Sequence, residues 1–126
     1  MTPCILLIED DADLAGMYTE RLKHGGFKVE LISNGQVALE RLQQADPPDG
    51  IILDLMLPGL SGFEIMKYLA TDKVRRRIPT IICTAFADDN HEQEAAQLGF
   101  TDYFLKTHIT PGELTSLMRR RLLTAK

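Results

Sequence analysis

The sequence has no tryptophan, only two cysteines, and no apolar run long enough to span a bilayer. Each absence removes a class of protein. Cys4 and Cys83 have no CxxC partner, so local spacing assembles neither a thiolate metal centre nor a dithiol redox pair. Met1-Thr2-Pro3-Cys4 runs straight into apolar residues, without the basic segment and small-residue cleavage site of a secretory signal. The expected location is the cytoplasm, where thiols stay reduced. There is no basic excess: 14 Lys and Arg against 18 Asp and Glu give a formal net charge of -4, which argues against a nucleic-acid-binding surface. Two basic runs, Arg75-Arg76-Arg77 and Arg119-Arg120-Arg121, read as solvated faces or helix ends. His24, His91 and His108 share no ligand spacing and read as surface residues. A length of 126 residues suits one domain over 1–126 with a single core, and no linker, low-complexity segment or repeat interrupts it.

What the chain does have is alternation. Apolar runs of strand length are followed five times by amphipathic helical patterns. Strands are predicted at 4–8, 27–32, 50–53, 80–83 and 101–105. Ile5-Leu6-Leu7-Ile8, Ile51-Ile52-Leu53 and Ile81-Ile82 are continuous rather than alternating, the pattern of strands buried on both faces of a parallel sheet. The first helix follows Asp11, places Leu14, Met17, Tyr18 and Leu22 on one face, and stops at Gly25-Gly26. The second opens near Asn34 and ends before Asp46-Pro47-Pro48. The third begins at Ser61 with Glu64 three residues on, a capping-box pattern. The fourth starts at Asp88 or Asp89, ends at Gly99, and is the most polar. The fifth opens Thr110-Pro111-Gly112-Glu113 and turns Leu114, Leu117, Met118 and Leu122 to the core. Met17, Met66 and Met118 read as core fillers.

Five strand–helix repeats give an α/β fold: a flavodoxin-like, doubly wound, five-stranded parallel sheet in order 2-1-3-4-5 with five helices. In that order Cys4 and Cys83 lie two strand spacings apart, about 9.5 Å. That exceeds the roughly 7 Å a disulfide bridges, so none is expected.

Ligands of such sheets bind beyond the carboxyl ends of the strands. Those ends carry Glu9-Asp10-Asp11, Asp54, Thr84 and Lys106. Taken singly, Asp10-Asp11 is a helix cap, Thr84 a strand-end threonine, Tyr103 a half-buried aromatic and Lys106 a solvated charge. Taken together they form a set with chemistry. Converging carboxylates repel unless one keeps its proton or a cation joins them. Carboxylate and water oxygens suit magnesium, which leaves room for phosphate oxygens. Lys106 and the Thr84 hydroxyl can each hold a phosphoryl oxygen, and Asp54 at the centre can serve as nucleophile.

Over its whole length the chain resembles the response-regulator receiver family. The matching stretches are Ile8-Glu9-Asp10-Asp11, Leu53-Asp54-Leu55-Met56-Leu57-Pro58-Gly59-Leu60-Ser61-Gly62, Ile82-Cys83-Thr84-Ala85 and Tyr103-Phe104-Leu105-Lys106. The resemblance implies a phosphorylation switch of a two-component phosphorelay rather than an enzyme. Asp54 would accept a phosphoryl group, with Mg2+, from a sensor histidine kinase or a histidine phosphotransfer protein. Asp10 and Asp11 would organise the metal, Asp11 as direct ligand, and the main-chain carbonyl of Met56 would complete its shell. Thr84 and Lys106 would bind the phosphoryl group, and Tyr103 would turn inward when Thr84 moves. A downstream protein effector would read the face of the fourth helix, fifth strand and fifth helix. The domain would act as a monomer or weak dimer, binding neither membrane nor nucleic acid.

Two departures stand out. Thr107 replaces the proline that usually follows the lysine, and a cis bond without proline costs about 3 kcal/mol, which favours trans. Met56 and Phe86, two residues past Asp54 and Thr84, cannot hydrogen-bond a water, so a long-lived aspartyl-phosphate is expected. The chain stops just after the fifth helix, so it works alone through protein contacts or belongs to a longer protein. Three other readings compete. A never-phosphorylated docking module is opposed by the complete acid, threonine and lysine set. An aspartate-nucleophile phosphatase would carry an acid where Met56 stands. A flavodoxin would need free backbone N–H groups where Glu9-Asp10-Asp11-Ala12 is acidic.

Overall fold

The continuous apolar runs become the inner strands of one parallel sheet. In the computed structural model, which describes residues 2–86 and 88–125, the strands are β1 (Cys4–Ile8), β2 (Lys28–Ile32), β3 (Gly50–Leu53), β4 (Thr80–Thr84) and β5 (Tyr103–Leu105). Their order is β2-β1-β3-β4-β5, as the alternation predicts. The helices are α1 (Ala12–His24), α2 (Gly35–Leu42), α3 (Gly62–Thr71), α4 (Asp89–Gln97) and α5 (Pro111–Thr124), with short 3-10 turns at Arg75–Arg77 and Lys106–His108. Register aligns Ile8 with Leu53, Leu53 with Ile82, and Ile82 with Tyr103, so the carboxyl ends of β1, β3, β4 and β5 share one edge.

Strand residues alternate between two cores, because successive side chains leave opposite faces of the sheet. Ile5, Leu7, Ile52, Ile81 and Cys83 pack against Tyr18, Leu22, Leu114, Leu117 and Met118 of α1 and α5. Leu6, Ile8, Ile51, Leu53 and Ile82 pack against Ala38, Leu42, Ile65, Met66 and Leu69 of α2 and α3, with Ala95 of α4. Each buried Leu or Ile contributes about 1.5–3 kcal/mol. By that measure α4, whose one buried residue is Ala95, is the most weakly held helix.

Helix starts follow the polar signals. Asp11, Asn34 and Asp88 accept hydrogen bonds from the first free N–H groups of α1, α2 and α4, and Thr110 with Glu113 forms the reciprocal box on α5. Ser61 is the exception. It occupies the cap position of α3 without a side-chain bond, because the backbone serves instead: Gly62 N–H donates to Leu55 O and Glu64 N–H to Ser61 O. Met17 also departs from expectation. The buried stripe of α1 runs Ala15, Tyr18, Leu22, and Met17 stands beside it, 51% exposed. Phe27 is buried just outside β2, beneath the Arg119 guanidinium, and β5 starts at Tyr103 rather than Thr101. Arg75 is no solvated charge: it donates to the carbonyls of Leu42 and Gln44. Both cysteines are free thiols.

Two glycines allow the loop after β3 to close against its neighbours. A Cβ on Gly62 would lie 2.4 Å from Asp54 O, and one on Gly35 would lie 1.7 Å from Leu60 O. Gly16, on the exposed side of α1, would meet nothing within 4 Å. Gly35→Ala is therefore expected to destabilise the fold by about 2–4 kcal/mol. Gly16→Ala should stabilise it by roughly 0.5–1 kcal/mol. Urea unfolding of the two variants checks the contrast.

Candidate functional site

The edge where β1, β3, β4 and β5 end carries buried charge. Glu9 and Asp54 are 2% and 3% exposed, each the first residue beyond its strand. Leu7 and Ile52 face the α1–α5 core, so Glu9 and Asp54, two residues on, leave the sheet on that same side. Phe104 packs there too, and Lys106 follows it in the 3-10 turn after β5. Lys106 Nζ lies 2.8 Å from Asp54 Oδ2 and 2.9 Å from the Glu9 carboxylate. The remaining contacts come from main chain: Met56 N–H donates to Asp54 Oδ1 at 3.1 Å, and Asp11 N–H to Glu9 Oε2 at 3.0 Å.

Charge does not balance here. Carboxylate oxygens of Glu9, Asp10 and Asp54 lie within 4.8 Å of one another, against a single lysine. Burial raises the Glu9 carboxyl above the ordinary glutamate value, with the Lys106 hydrogen bond pulling the other way. Burial works against the Lys106 charge, but its bonds to Asp54 and Glu9 outweigh that and raise it above the ordinary lysine value. The donor set is all hard oxygen, open at exposed Asp10, which fits a small divalent cation such as Mg2+. Cys83 lies in the α1–α5 core, where burial pushes its thiol up to about 12.

The structure sets Asp11 apart from the other acids. Asp11 Oδ1 accepts from Asp13 N–H and Leu14 N–H at 3.0 and 3.1 Å, so this carboxylate caps α1 and lies outside the cluster. The carboxylates that converge are those of Glu9, Asp10 and Asp54. Period-two alternation carried the signal, because Glu9 continues Ile5 and Leu7 on the inner face while Asp11 precedes the first helical residue.

The other predicted residues are placed as follows. Thr84 ends β4, 2% exposed, on the opposite face with Ile82, and its Oγ1 accepts from Phe86 N–H at 3.4 Å. Tyr103 packs half-buried against that same core, its hydroxyl without a partner among the described residues. Met56 and Phe86 are 51% and 57% exposed. No described peptide bond is cis, so Lys106–Thr107 is trans. His24 and His108 are exposed, whereas His91 is half-buried edge-on to Phe63, with ring centroids 4.7 Å apart.

Residues 5–119 match the family model of the response regulator receiver domain. The chain is 36% identical over 126 residues to the phosphate regulon transcriptional regulatory protein PhoB of Rhizobium meliloti, covering 100% of this chain and 55% of that protein. It is 36% identical over 118 residues to the DNA-binding response regulator MtrA of Mycobacterium tuberculosis, covering 94% of this chain and 50% of that one. The chain thus spans about half the length of these curated relatives. Among solved structures it is similar to the signal receiver domain of a signal transduction histidine kinase from Syntrophus aciditrophicus, with TM-score 0.87 and 27% identity over 99% of this chain and 93% of that one. No helix of the described residues is long and apolar enough to cross a membrane.

The charge imbalance yields a test. Asp10→Asn removes one of three mutually repelling carboxylates, so metal-free protein should gain on the order of 1 kcal/mol of stability. Adding Mg2+ should stabilise wild type by mass action and the variant far less. Chemical unfolding with and without the ion reads both effects.

Proposed function

The chain belongs to the response regulator receiver domain family, and from that membership we propose that it is a phosphorylation switch in which Asp54 takes a phosphoryl group from a phosphohistidine. One observation carries the proposal: Asp54 is buried at the sheet edge with its carboxylate on the Lys106 ammonium at 2.8 Å, among further acids. Transfer forms a bond from an Asp54 oxygen to phosphorus and breaks the phosphorus–nitrogen bond of the donor. The imidazole leaves with the electron pair and takes up a proton. Lys106 turns from the carboxylates to a phosphoryl oxygen, and the Thr84 hydroxyl donates to another. Glu9, Asp10 and Asp54 would hold Mg2+, with the Met56 carbonyl as a further ligand. When bound there, the ion supplies the positive charge that lets an anionic phosphoryl group approach three carboxylates.

The donor would be a sensor histidine kinase or a histidine phosphotransfer protein, met in the cytoplasm by a monomer or weak dimer. Response would pass from Thr84 to Tyr103, which share one face of the sheet, and on to α4 as a shift in population. A groove of about 290 Å³ between α4 and β5, lined by Asp88, Glu92, Tyr103 and His108, supports an effector on the α4–β5–α5 face. The relatives named as DNA-binding are about twice as long, and this segment, with its net charge of -4, would leave nucleic acid to other parts of such proteins. Met56 and Phe86 place no polar group to orient a hydrolytic water, so the phosphoryl group would be lost slowly.

Treatment with acetyl phosphate and Mg2+ should add the mass of one phosphoryl group to wild type and none to Asp54→Asn. Label that persists in the variant, or forms without divalent metal, contradicts the mechanism. A wild type that takes no label is a docking module instead.

A further inference from the structure

The two basic runs take no part in the site described above, and the fold brings them together at the other end of the sheet. Arg75 is used internally, on the carbonyls of Leu42 and Gln44. Arg119 lies over the Phe27 ring and donates to Gly25 O. Arg76, Arg77 and Arg121 all line one cavity of about 650 Å³. It lies at the amino ends of β4 and β5, beside Thr80 and Asp102, opposite the edge that carries Asp54. Arg121 shows what these guanidiniums can hold. Its Nε and Nη2 donate to the two oxygens of Asp102 at 2.7 and 2.8 Å, the planar fork that a carboxylate fits. Arg76 and Arg77 are exposed, and among the described residues neither has a carboxylate at ion-pair distance. Three guanidiniums against the one carboxylate of Asp102 leave this cavity with an excess of positive charge, in a chain whose net charge is -4.

Shape and lining decide the occupant. A second cavity, of about 360 Å³, shares Arg77, Ile78, Pro79 and Ala125 with the first, so the two run on as one groove. That is longer than a compact anion needs and suits an extended chain. Beside the arginines the lining is apolar, from Leu98 through Ile78 and Pro79 to Val74, which is 61% exposed. A single nucleic-acid strand calls for exposed aromatic side chains to stack its bases. Among the described residues of the groove the one aromatic is Phe100, only 8% exposed. We propose that this groove binds an acidic segment of a partner protein, with its carboxylates on Arg76 and Arg77 and its apolar side chains on Ile78 and Pro79. The groove is remote from Asp54, and its occupation needs no phosphoryl group.

The probe is a decapeptide of glutamate and leucine, titrated into the whole chain and followed by amide NMR shifts. Shifts should concentrate at residues 76–80 and 98–102, and a decapeptide of lysine and leucine should cause none. Arg76→Gln with Arg77→Gln should weaken binding about five- to thirtyfold, the value of two exposed ion pairs. Lys23→Gln with Lys28→Gln removes the same charge from exposed positions that line neither cavity, and should leave affinity unchanged. No binding of the acidic peptide, shifts outside the groove, or equal affinity in the arginine variant overturns the proposal. So does tighter binding of a single-stranded oligonucleotide or of pyrophosphate, which would make this a site for nucleic acid or for a free anion. Ala70 in the last turn of α3 and Leu98 at the end of α4 line the same cavity, and arginines can offset the carbonyl ends of helices. A role confined to that offset predicts a lower melting temperature for the arginine variant with peptide affinity kept, and would overturn the proposal as well.

Discussion

One ammonium group holds the site together. Lys106 Nζ bridges Glu9 and Asp54, residues 97 and 52 positions away in sequence, and thereby ties the ends of β1, β3 and β5 at a single point. Buried ions tolerate such a position only when paired, and losing one partner commonly costs about 3–5 kcal/mol. The pairing is incomplete, because three carboxylates face one lysine. A site left with excess negative charge is poised to take a cation. With that cation in place it can take an anion that competes for the lysine.

The pleat divides the work between two faces. Glu9, Asp54 and Lys106 follow strand residues that face the α1–α5 core, whereas Thr84 follows Ile82 on the α2–α3 side, where Tyr103 also packs. A signal passing from the acid cluster to Tyr103 would therefore have to cross between faces at the strand ends. The helix next to Tyr103 is α4, which buries only Ala95 and is the cheapest element to move. The lysine charge also links the site to stability. Because its folded value is raised, its contribution is complete below the ordinary lysine value of about 10.4 and is lost as pH rises through the raised one.

The architecture was legible because each element carried an independent signal. Ile5 to Ile8 and Ile51 to Leu53 could satisfy their pattern only as strands covered on both faces, and Asp11, Asn34, Asp88 and Thr110 marked helix starts that the structure keeps. The residue types at the strand ends were legible, whereas which of the three acids turns inward was not. Three acids in a row give composition no means of choosing, and only strand phase separates inward Glu9 from capping Asp11. Ser61 illustrates a limit of another kind, since a side-chain cap is dispensable where Leu55 supplies a backbone acceptor.

Titration of the Lys106 side-chain nitrogen by NMR, in metal-free protein, addresses the bridge itself. Held between Glu9 and Asp54, the ammonium should lose its proton above the ordinary lysine value and should move back toward that value in Asp54→Asn. A lysine that titrates at its ordinary value or below it, or that ignores the substitution, would show that burial outweighs the bridge and that the site is organised by something else.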